Sequence, residues 1–413
     1  MDLRPLRRHR DFRALFAAQF VSFLGTMVTY VALPYQMFHL TGSSLKVGLL
    51  GLAELLPLLV TAFLGGALAD TVDRRRLILA TEVGLALGSG ALALAAFGKP
   101  PVWTLYAVAA WMSALNGLQR PSLEALSPRL VDADEMPAMA SLAAFRGSIG
   151  MIAGPALGGA LIAAAGLSSA YLFDVATYVF SFFAIRAIRA SLPREESAEG
   201  PSLRSVLDGF RYARSRQELI GTYVVDFVAM VFGMPLALFP AIAAALGGPR
   251  ALGFLYAMPA VGALLASLTS RWTPRVHRHG LAVMLAATAW GLAIVGFGLS
   301  GHIVPAVLFL ALAGGADAVS GMFRMTLWNQ TIPDSFRGRL AGIEMISYMS
   351  GPLLGNVEAG MIAAAFSVKV SVVSGGVLCV IGVLLCALFL PRFLSYDARA
   401  WKGEPPEVRS SLT

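Results

Sequence analysis

The sequence predicts an all-α integral membrane protein whose twelve transmembrane helices form two pseudo-symmetric six-helix bundles. Composition is the first indication. Of 413 residues 57% are hydrophobic and only 14% are charged, whereas soluble domains carry about 25% charged residues. A series of long apolar runs is the second indication, and a match between the two halves of the chain is the third. A chain with a mean hydropathy of +0.71 is suited to a bilayer.

Each predicted helix follows from a run of about 20 apolar residues, the length that crosses the hydrocarbon core of a bilayer as an α-helix. Glycine and proline separate several of the runs, as at residues 98–101 and 247–249. The predicted spans are 12–39, 46–69, 77–98, 101–123, 137–165, 168–189, 218–246, 250–271, 280–299, 302–328, 340–366 and 369–391.

The charge pattern predicts the orientation of these spans. The chain has 28 arginines and 4 lysines, and arginines cluster at alternate helix ends, at residues 4–13, 74–76, 129, 194–216, 271–278, 337 and 339. Loops that remain in the cytoplasm carry such an excess of basic residues. We therefore expect a multi-pass protein of the bacterial cytoplasmic (inner) membrane with both termini in the cytoplasm.

A polar stretch in the middle of the chain divides the spans six and six. The predicted regions are an N-terminal six-helix bundle at 1–190, a cytoplasmic linker with an amphipathic helix at 191–217, a C-terminal six-helix bundle at 218–391 and a disordered cytoplasmic tail at 392–413. GPALGGALIAA begins at Gly154, and GPLLGNVEAGMIAA begins at Gly351. Each lies in the fifth span of its half, which indicates an internal repeat.

Two motifs carry a resemblance to a known family. GGALADTVDRRR, residues 65–76, and GMIAGPALGG, residues 150–159, resemble a loop motif and an exporter motif of the major facilitator superfamily. HRDFRALFAAQFVSFLG, residues 9–25, and RPSLEALSPRLV, residues 120–131, are similar to the enterobactin-exporter branch, near the drug:proton antiporters. The match departs from the family at Thr71, where a basic residue is usual, and at Asp73, where glycine is frequent.

The loop motif consists of Gly66, Asp70, Arg74, Arg75 and Arg76. A carboxylate at the cytoplasmic end of a span can pair with arginine or with a helix N-terminus. We interpret the motif as a lock that holds the two halves together on the inside, and the alternative is a loop that only sets topology.

The exporter motif in the fifth span consists of Gly150, Gly154, Pro155, Gly158 and Gly159. Proline bends a membrane helix, and glycine lets neighbouring helices approach closely. We interpret this face as a hinge packed against the opposite half, and the alternative is ordinary packing of small residues.

Acids within the predicted spans are the candidates for proton coupling or for lining a cavity: Glu54, Asp174, Asp226, Asp317 and Glu358. A charge at the centre of a bilayer costs about 2.5–3.5 kcal/mol, so such residues pair or line cavities. Glu54, Asp226 and Asp317 each lie well inside their spans. Asp174 is also compatible with a structural role, and for each acid the alternative is an interhelical hydrogen bond. We expect Arg120, Arg146 and Arg324, near cytoplasmic helix ends, to neutralise acids or head groups.

The sequence therefore predicts a secondary active exporter of small amphipathic compounds, a drug or a siderophore, that works by proton antiport through alternating access. No lysine precedes Ser or Thr, so no nucleotide-binding P-loop is encoded. We expect no enzyme activity, cofactor or metal. The expected partners are the substrate, protons and membrane lipid, with no nucleic acid, and the protein is expected to be a monomer. The alternatives are a transporter without proton coupling, a lipid scramblase or an importer of a small metabolite.

Overall fold

The computed structural model describes residues 2–71, 73–189 and 211–400, and within them it leaves aside the side chains at 62–71, at most positions of 334–349 and at 400. The regular elements of these residues are α-helices and short 3₁₀ turns. The helices are α1 (Arg4–Arg8), α2 (Arg10–Thr41), α3 (Ser44–Thr71), α4 (Arg74–Ala96), α5 (Val102–Leu126), α6 (Met136–Ala165), α7 (Leu167–Arg186), α8 (residues 211–215), α9 (Gln217–Gly233), α10 (Phe239–Leu246), α11 (Pro249–Leu268), α12 (His279–Leu299), α13 (Ile303–Thr331), α14 (Asp334–Ala365), α15 (Val368–Phe389) and α16 (Pro391–Leu394).

This architecture confirms the predicted fold class. Ten helical segments within the described residues are long and apolar enough to cross a membrane. The remaining predicted spans, the fourth and the eleventh, are occupied by α5 and α14. The seventh span is the one that departs from a single helix, because α9 ends at Gly233 and a 3₁₀ turn at Leu236–Leu238 precedes α10.

The helix boundaries follow from local chemistry. Asp73 caps the N-terminus of α4, since its carboxylate accepts the backbone N–H of Arg76 at 3.0 Å. Gly42 ends α2 in the left-handed region with φ of 61°, a conformation that glycine adopts without steric cost. The glycine-containing breaks predicted at 98–101 and 247–249 also coincide with helix ends, between α4 and α5 and between α10 and α11.

Contacts divide the chain into two units. Unit 1 comprises Met1–Gly200 and Phe239–Ala257, and unit 2 comprises Pro201–Leu238 and Met258–Thr413. Unit 1 thus contains α1 to α7 together with α10 and the first part of α11. Unit 2 contains α8, α9, the rest of α11 and α12 to α16. The four-part division drawn from the sequence stays a prediction.

The first part of the predicted tail is ordered, which corrects the expectation of disorder from 392 onward. Phe393 of α16 is fully buried and packs on Gly221 of α9, and its carbonyl lies against Gly280 of α12. Tyr396 donates its hydroxyl to Oε1 of Gln330 at 3.1 Å. The aromatic side chain supplies the apolar area that a polar composition alone did not suggest. Residues 401–413 lie outside the described residues.

The linker reaches unit 2 through α8. The predicted amphipathic stretch lies largely outside the described residues, but its last part, α8, is helical. Tyr212 stacks on Phe336 with ring centroids 4.5 Å apart and donates its hydroxyl to the carbonyl of Thr331 at 3.3 Å. Burial of this phenol at the membrane surface raises its pKa.

Glycine residues allow α11 and α13 of unit 2 to approach each other closely. A Cβ atom on Gly314 would stand 1.9 Å from the carbonyl oxygen of Pro259, and one on Gly262 would stand 1.8 Å from that of Ala311. Each obstacle is backbone, which cannot move aside as a flexible side chain can.

We expect Gly314→Ala to force these helices apart and to lower the free energy of unfolding by on the order of 1–3 kcal/mol, the usual cost of overpacking. Thermal unfolding of the purified protein in detergent measures the change. Gly90→Ala is the matched control, because a Cβ at this helical position meets nothing within 4 Å. Equal melting temperatures for the two variants would contradict the prediction.

Candidate functional site

A hydrogen bond and an aromatic stack hold α9 against α13 in unit 2. Trp328 donates its indole N–H to Oγ1 of Thr222 at 2.8 Å, and its ring stacks on Tyr223 with centroids 5.4 Å apart. These residues lie toward one end of each helix. The contact sets the register in which side chains one turn further along α9 and α13 meet.

One turn further along, Asp226 of α9 and Arg324 of α13 form an ion pair. Asp317 lies two turns from Arg324 on the same face of α13, and its Oδ1 is 3.7 Å from the second guanidinium nitrogen, Nη2. The structure therefore brings together two of the acids that the sequence singled out, with Arg324 between them. The expectation that Arg324 neutralises local acids agrees with this arrangement.

The two carboxylates differ in access to solvent. The side chains of Asp226 and Arg324 are each 13% exposed, whereas that of Asp317 is 40% exposed. Gly321 lies between Asp317 and Arg324, and a Cβ there would meet only the guanidinium, at 3.8 Å. Asp317 is thus the most accessible of the three side chains in the cluster.

Glu358 lies apart from this cluster, on α14. Its Oε1 is buried and has no hydrogen-bond partner within the described residues. Its neighbour Asn356 accepts the backbone N–H of Ala237 at 3.0 Å and so ties α14 to the turn after α9. A carboxyl group with an unsatisfied buried oxygen is costly when ionised, because nothing replaces its lost hydration.

In unit 1, Glu54 of α3 is partly buried. Its backbone carbonyl accepts the hydroxyl of Ser113 of α5 at 2.8 Å. Arg146 of α6 is also partly buried. Arg120 pairs with Glu124 one turn away at 2.9 Å on an exposed surface, where such a pair contributes little.

Asp174 of α7 is fully buried in a polar network. Its Oδ2 accepts the hydroxyls of Thr29 of α2 and Ser89 of α4, both at 2.6 Å. Thr177 lies beside its other oxygen at 3.4 Å. The carboxyl group therefore joins three helices, which supports the structural interpretation that the sequence left open.

Sequence reasoning missed Glu82, an acid in the third predicted span. Its side chain is buried, 2% exposed, and Oε1 accepts the side-chain amide of Gln119 of α5 at 2.8 Å. Its position inside the predicted span 77–98 was a usable signal, because an acid within a membrane span is costly unless it pairs or lines a cavity.

The structure describes only part of the loop motif. Gly66 and the side chain of Asp70 lie outside the described side chains, so the lock stays a prediction. Arg75 reaches across to α7 and donates to the carbonyl of Arg186. Arg74 and Arg76 flank it in the first turn of α4.

The glycines of the fifth-span motif face two neighbours. Gly150 and Gly154 lie against Phe23 and Met27 of α2, and Gly158 lies against the backbone of Val28. Gly159 faces the other way: a Cβ there would stand 2.5 Å from the carbonyl oxygen of Pro249 and 2.9 Å from Gly253.

Contacts with α11 extend beyond this glycine. Tyr256 of α11 packs edge-on against Tyr30 of α2 and Phe239 of α10, with centroids 5.4 and 5.0 Å apart. The motif therefore permits close helix packing on two sides of α6. Pro155 is buried among these glycines, within α6.

Comparison with known proteins places the chain in a family. The family described as transmembrane secretion effector matches residues 2–412. The enterobactin exporters EntS of Shigella boydii serotype 18 and of Escherichia coli O81 are each 28% identical to the chain over 414 residues, which cover 100% of this chain and 98% of the relative.

Solved structures agree on the fold. The nucleoside transporter NupG superposes with a TM-score of 0.70 at 14% identity, covering 93% of this chain and 98% of that one. A mutant of the peptide transporter POT superposes with a TM-score of 0.75 at 12% identity, covering 94% and 95%. At these identities the likeness shows the fold alone, whereas the family match covers nearly every residue. The chain is a multi-pass membrane transporter that belongs to the transmembrane secretion effector family of the major facilitator superfamily.

Proposed function

We propose that this transporter exports a small amphipathic compound in exchange for protons, by alternating access, and that Asp317, Arg324 and Asp226 form its proton-coupling site. The observation that carries the proposal is the cluster itself: two carboxylates share one guanidinium at membrane depth. Full-length similarity to the enterobactin exporters supports export as the direction.

The charge of the cluster supports coupling. Arg324 balances one carboxylate, and the shorter contact identifies Asp226 as its main partner. Asp317 then contributes an unbalanced negative charge within the span, where such a charge is costly. A proton on Asp317 removes that charge, and so does a cationic substrate beside it.

Competition for Asp317 produces exchange. The carboxylate cannot hold a proton and pair with a cation at once, so binding of one favours release of the other. Combined with access that alternates between the two sides, this competition is antiport. Glu54 and Glu358, partly buried and each on a different helix, are the remaining acids that we propose for the substrate cavity or for proton transfer.

We propose two alternative classes of substrate. The relatives are enterobactin exporters, which supports a siderophore. The excess of acids over bases in the cluster supports a neutral or cationic drug. The two classes are separated by experiment.

We expect a substrate to release protons from acidified inside-out vesicles that contain the transporter. In such vesicles export carries the substrate into the lumen, and antiport carries protons out of the lumen in exchange. A lipophilic cation, a neutral drug and a catecholate siderophore are added singly while a fluorescent dye reports luminal pH. Asp317→Asn and Asp226→Asn should each abolish the response, since each leaves one guanidinium with one carboxylate and no excess acid.

Glu124→Gln is the matched control, because this acid is exposed and paired at the surface. The double variant Asp226→Asn with Arg324→Gln leaves Asp317 alone and should recover proton release in part. Substrate or lipid crossing without any proton movement would contradict antiport and favour an uncoupled transporter or a scramblase. Uptake of a metabolite into intact cells would instead indicate an importer.

We also propose that the fifth-span glycines seal the transporter against leak. Gly159 lies against the backbone of α11, so a side chain there would open the packing. Gly159→Ala should lower transport and raise passive proton leak in vesicles, whereas Gly147→Ala on the same helix should change neither, because its Cβ would meet nothing within 4 Å. Identical leak rates in the two variants would refute the seal.

Orientation is proposed from the arginine clusters at alternate helix ends. Alkaline phosphatase, active only outside the cytoplasm, is fused after residue 98 and after residue 130. We expect activity from the first fusion alone, since residues 98–101 carry one lysine whereas residue 130 follows Arg129, at one of the helix ends to which the arginines are assigned. The opposite pattern would invert the assigned topology.

A further inference from the structure

Two buried acids of unit 1 lack a cationic partner. Glu82 of α4 is 2% exposed and Asp174 of α7 is fully buried. No cation contributes to the surroundings of either carboxyl group within the described residues. The cation on the same face of α4 is Arg75, two turns toward the helix start, and its guanidinium is directed at the carbonyl of Arg186. These acids are separate from the cluster of Asp317, Arg324 and Asp226 in unit 2.

Donors are distributed unequally between the two acids. Asp174 accepts hydroxyls from Thr29 and Ser89 at 2.6 Å each. The Thr177 hydroxyl is 3.4 Å from the other carboxylate oxygen and donates instead to the backbone carbonyl of Asp174 at 2.7 Å. Hydrogen bonds to the charged form favour ionisation of a carboxyl group. Asp174 is thus the better equipped of the two to carry a negative charge.

Glu82 has fewer donors. Gln119 satisfies Oε1 at 2.8 Å, while Oε2 is buried without a hydrogen-bond partner of good geometry. Ser181 of α7 lies beside this carboxyl group, and its Oγ is likewise buried without a hydrogen-bond partner of good geometry. Its hydroxyl can donate to the ionised carboxylate or accept a hydrogen bond from the protonated acid. A proton on Oε2 can be donated to Oγ of Ser181, and the single hydrogen bond would satisfy both atoms.

The surroundings of Glu82 are otherwise apolar. A cavity of about 780 Å³ on the outside of α4 and α7 reaches the residue and is lined mainly by Val83, Leu87, Leu94 and Phe183. Leu87 and Leu94 are 66% and 75% exposed, as lipid-facing side chains are. This side of the two helices is apolar, so ionisation of both acids at once would be very costly.

We propose that Glu82 is a proton-binding residue of unit 1 and is protonated at rest. Asp174 is its ionised partner in the polar seam, the row of polar side chains between α4 and α7 that includes Asp174, Tyr178 and Ser181. One proton is shared by two carboxyl groups: Glu82 retains it because Asp174 has more donors. Ionisation of Glu82 requires water to enter the seam between α4 and α7. Proton release is therefore tied to separation of these helices.

A line of polar groups connects the two acids. Tyr171, Asp174, Tyr178 and Ser181 recur every three to four residues along α7 and so share one face. Tyr178 contacts Thr26 of α2 at 2.9 Å, next to the Asp174 network. The seam contains hydroxyl groups that can both donate and accept, which is what transfer of a proton between Glu82 and Asp174 requires.

The role of this proton in the transport cycle rests on the proposed antiport, but its presence does not. Infrared spectroscopy of the purified full-length protein in lipid nanodiscs, without substrate, detects the carbonyl stretch of a protonated carboxyl group. At neutral pH we expect the wild-type spectrum minus that of Glu82→Gln to show one such band. Glu124→Gln should give none, because that exposed acid is ionised and paired.

Ser181→Ala is the second variant, since it removes the proposed acceptor while leaving Glu82 in place. It should keep the band and shift its frequency, because a hydrogen bond from the O–H group alters the carbonyl stretch. Absence of a Glu82 band, or a spectrum unchanged by Ser181→Ala, would overturn the proposal. Should Glu82→Gln fail to fold, the Ser181→Ala spectrum alone decides it.

The vesicle assay separates this inference from the proposed function. A Glu82 band together with proton release that is reduced in Glu82→Gln supports both. A Glu82 band without any substrate-driven proton movement supports the bound proton and refutes antiport. Proton release without a Glu82 band supports antiport through unit 2 and refutes the unit 1 site.

Discussion

A bilayer interior offers no water to a buried polar group, and most features of this protein follow from that constraint. Each acid or base inside the spans must be neutralised, hydrogen-bonded or exposed to an internal cavity. Asp174 binds three helices together because hydroxyl groups of α2 and α4 supply what water would have supplied. The Thr222–Trp328 hydrogen bond serves the same need between α9 and α13. Polar contacts thus fix which helices meet and in what register.

The two contact units differ in the groups that surround their buried acids. In unit 2 a guanidinium stands between two carboxylates, and the more exposed one is left underbalanced. In unit 1 the donors around Asp174 and Glu82 are uncharged hydroxyls and an amide. A cation beside a carboxylate favours its charge, whereas neutral donors alone favour it less. The proposals of proton exchange in unit 2 and of proton retention in unit 1 rest on this difference.

Close packing of helices depends on glycine in both units. Lipid tails are as apolar as leucine, so helices in a bilayer gain little from burying large apolar faces and more from close approach. Gly159 against Gly253 and Gly314 against Pro259 are examples in which backbone meets backbone. The same reasoning applies near the start of α9, where Gly221 makes room for the ring of Phe393. This aromatic anchor orders a segment whose polar composition predicts disorder.

Hydropathy and glycine punctuation determined the fold class and most helix ends, because a membrane span must be a helix of a set length whatever its neighbours are. Depth within a span likewise identified Asp226 and Asp317 as candidates. Only the tertiary structure decided that Arg324 lies between these two acids, that Glu358 lies apart from them on α14, and that Asp174 binds hydroxyl groups of α2 and α4. Periodicity reports how deep a residue lies along its own helix. It does not report which residue of another helix it faces, since that depends on packing between segments distant in sequence.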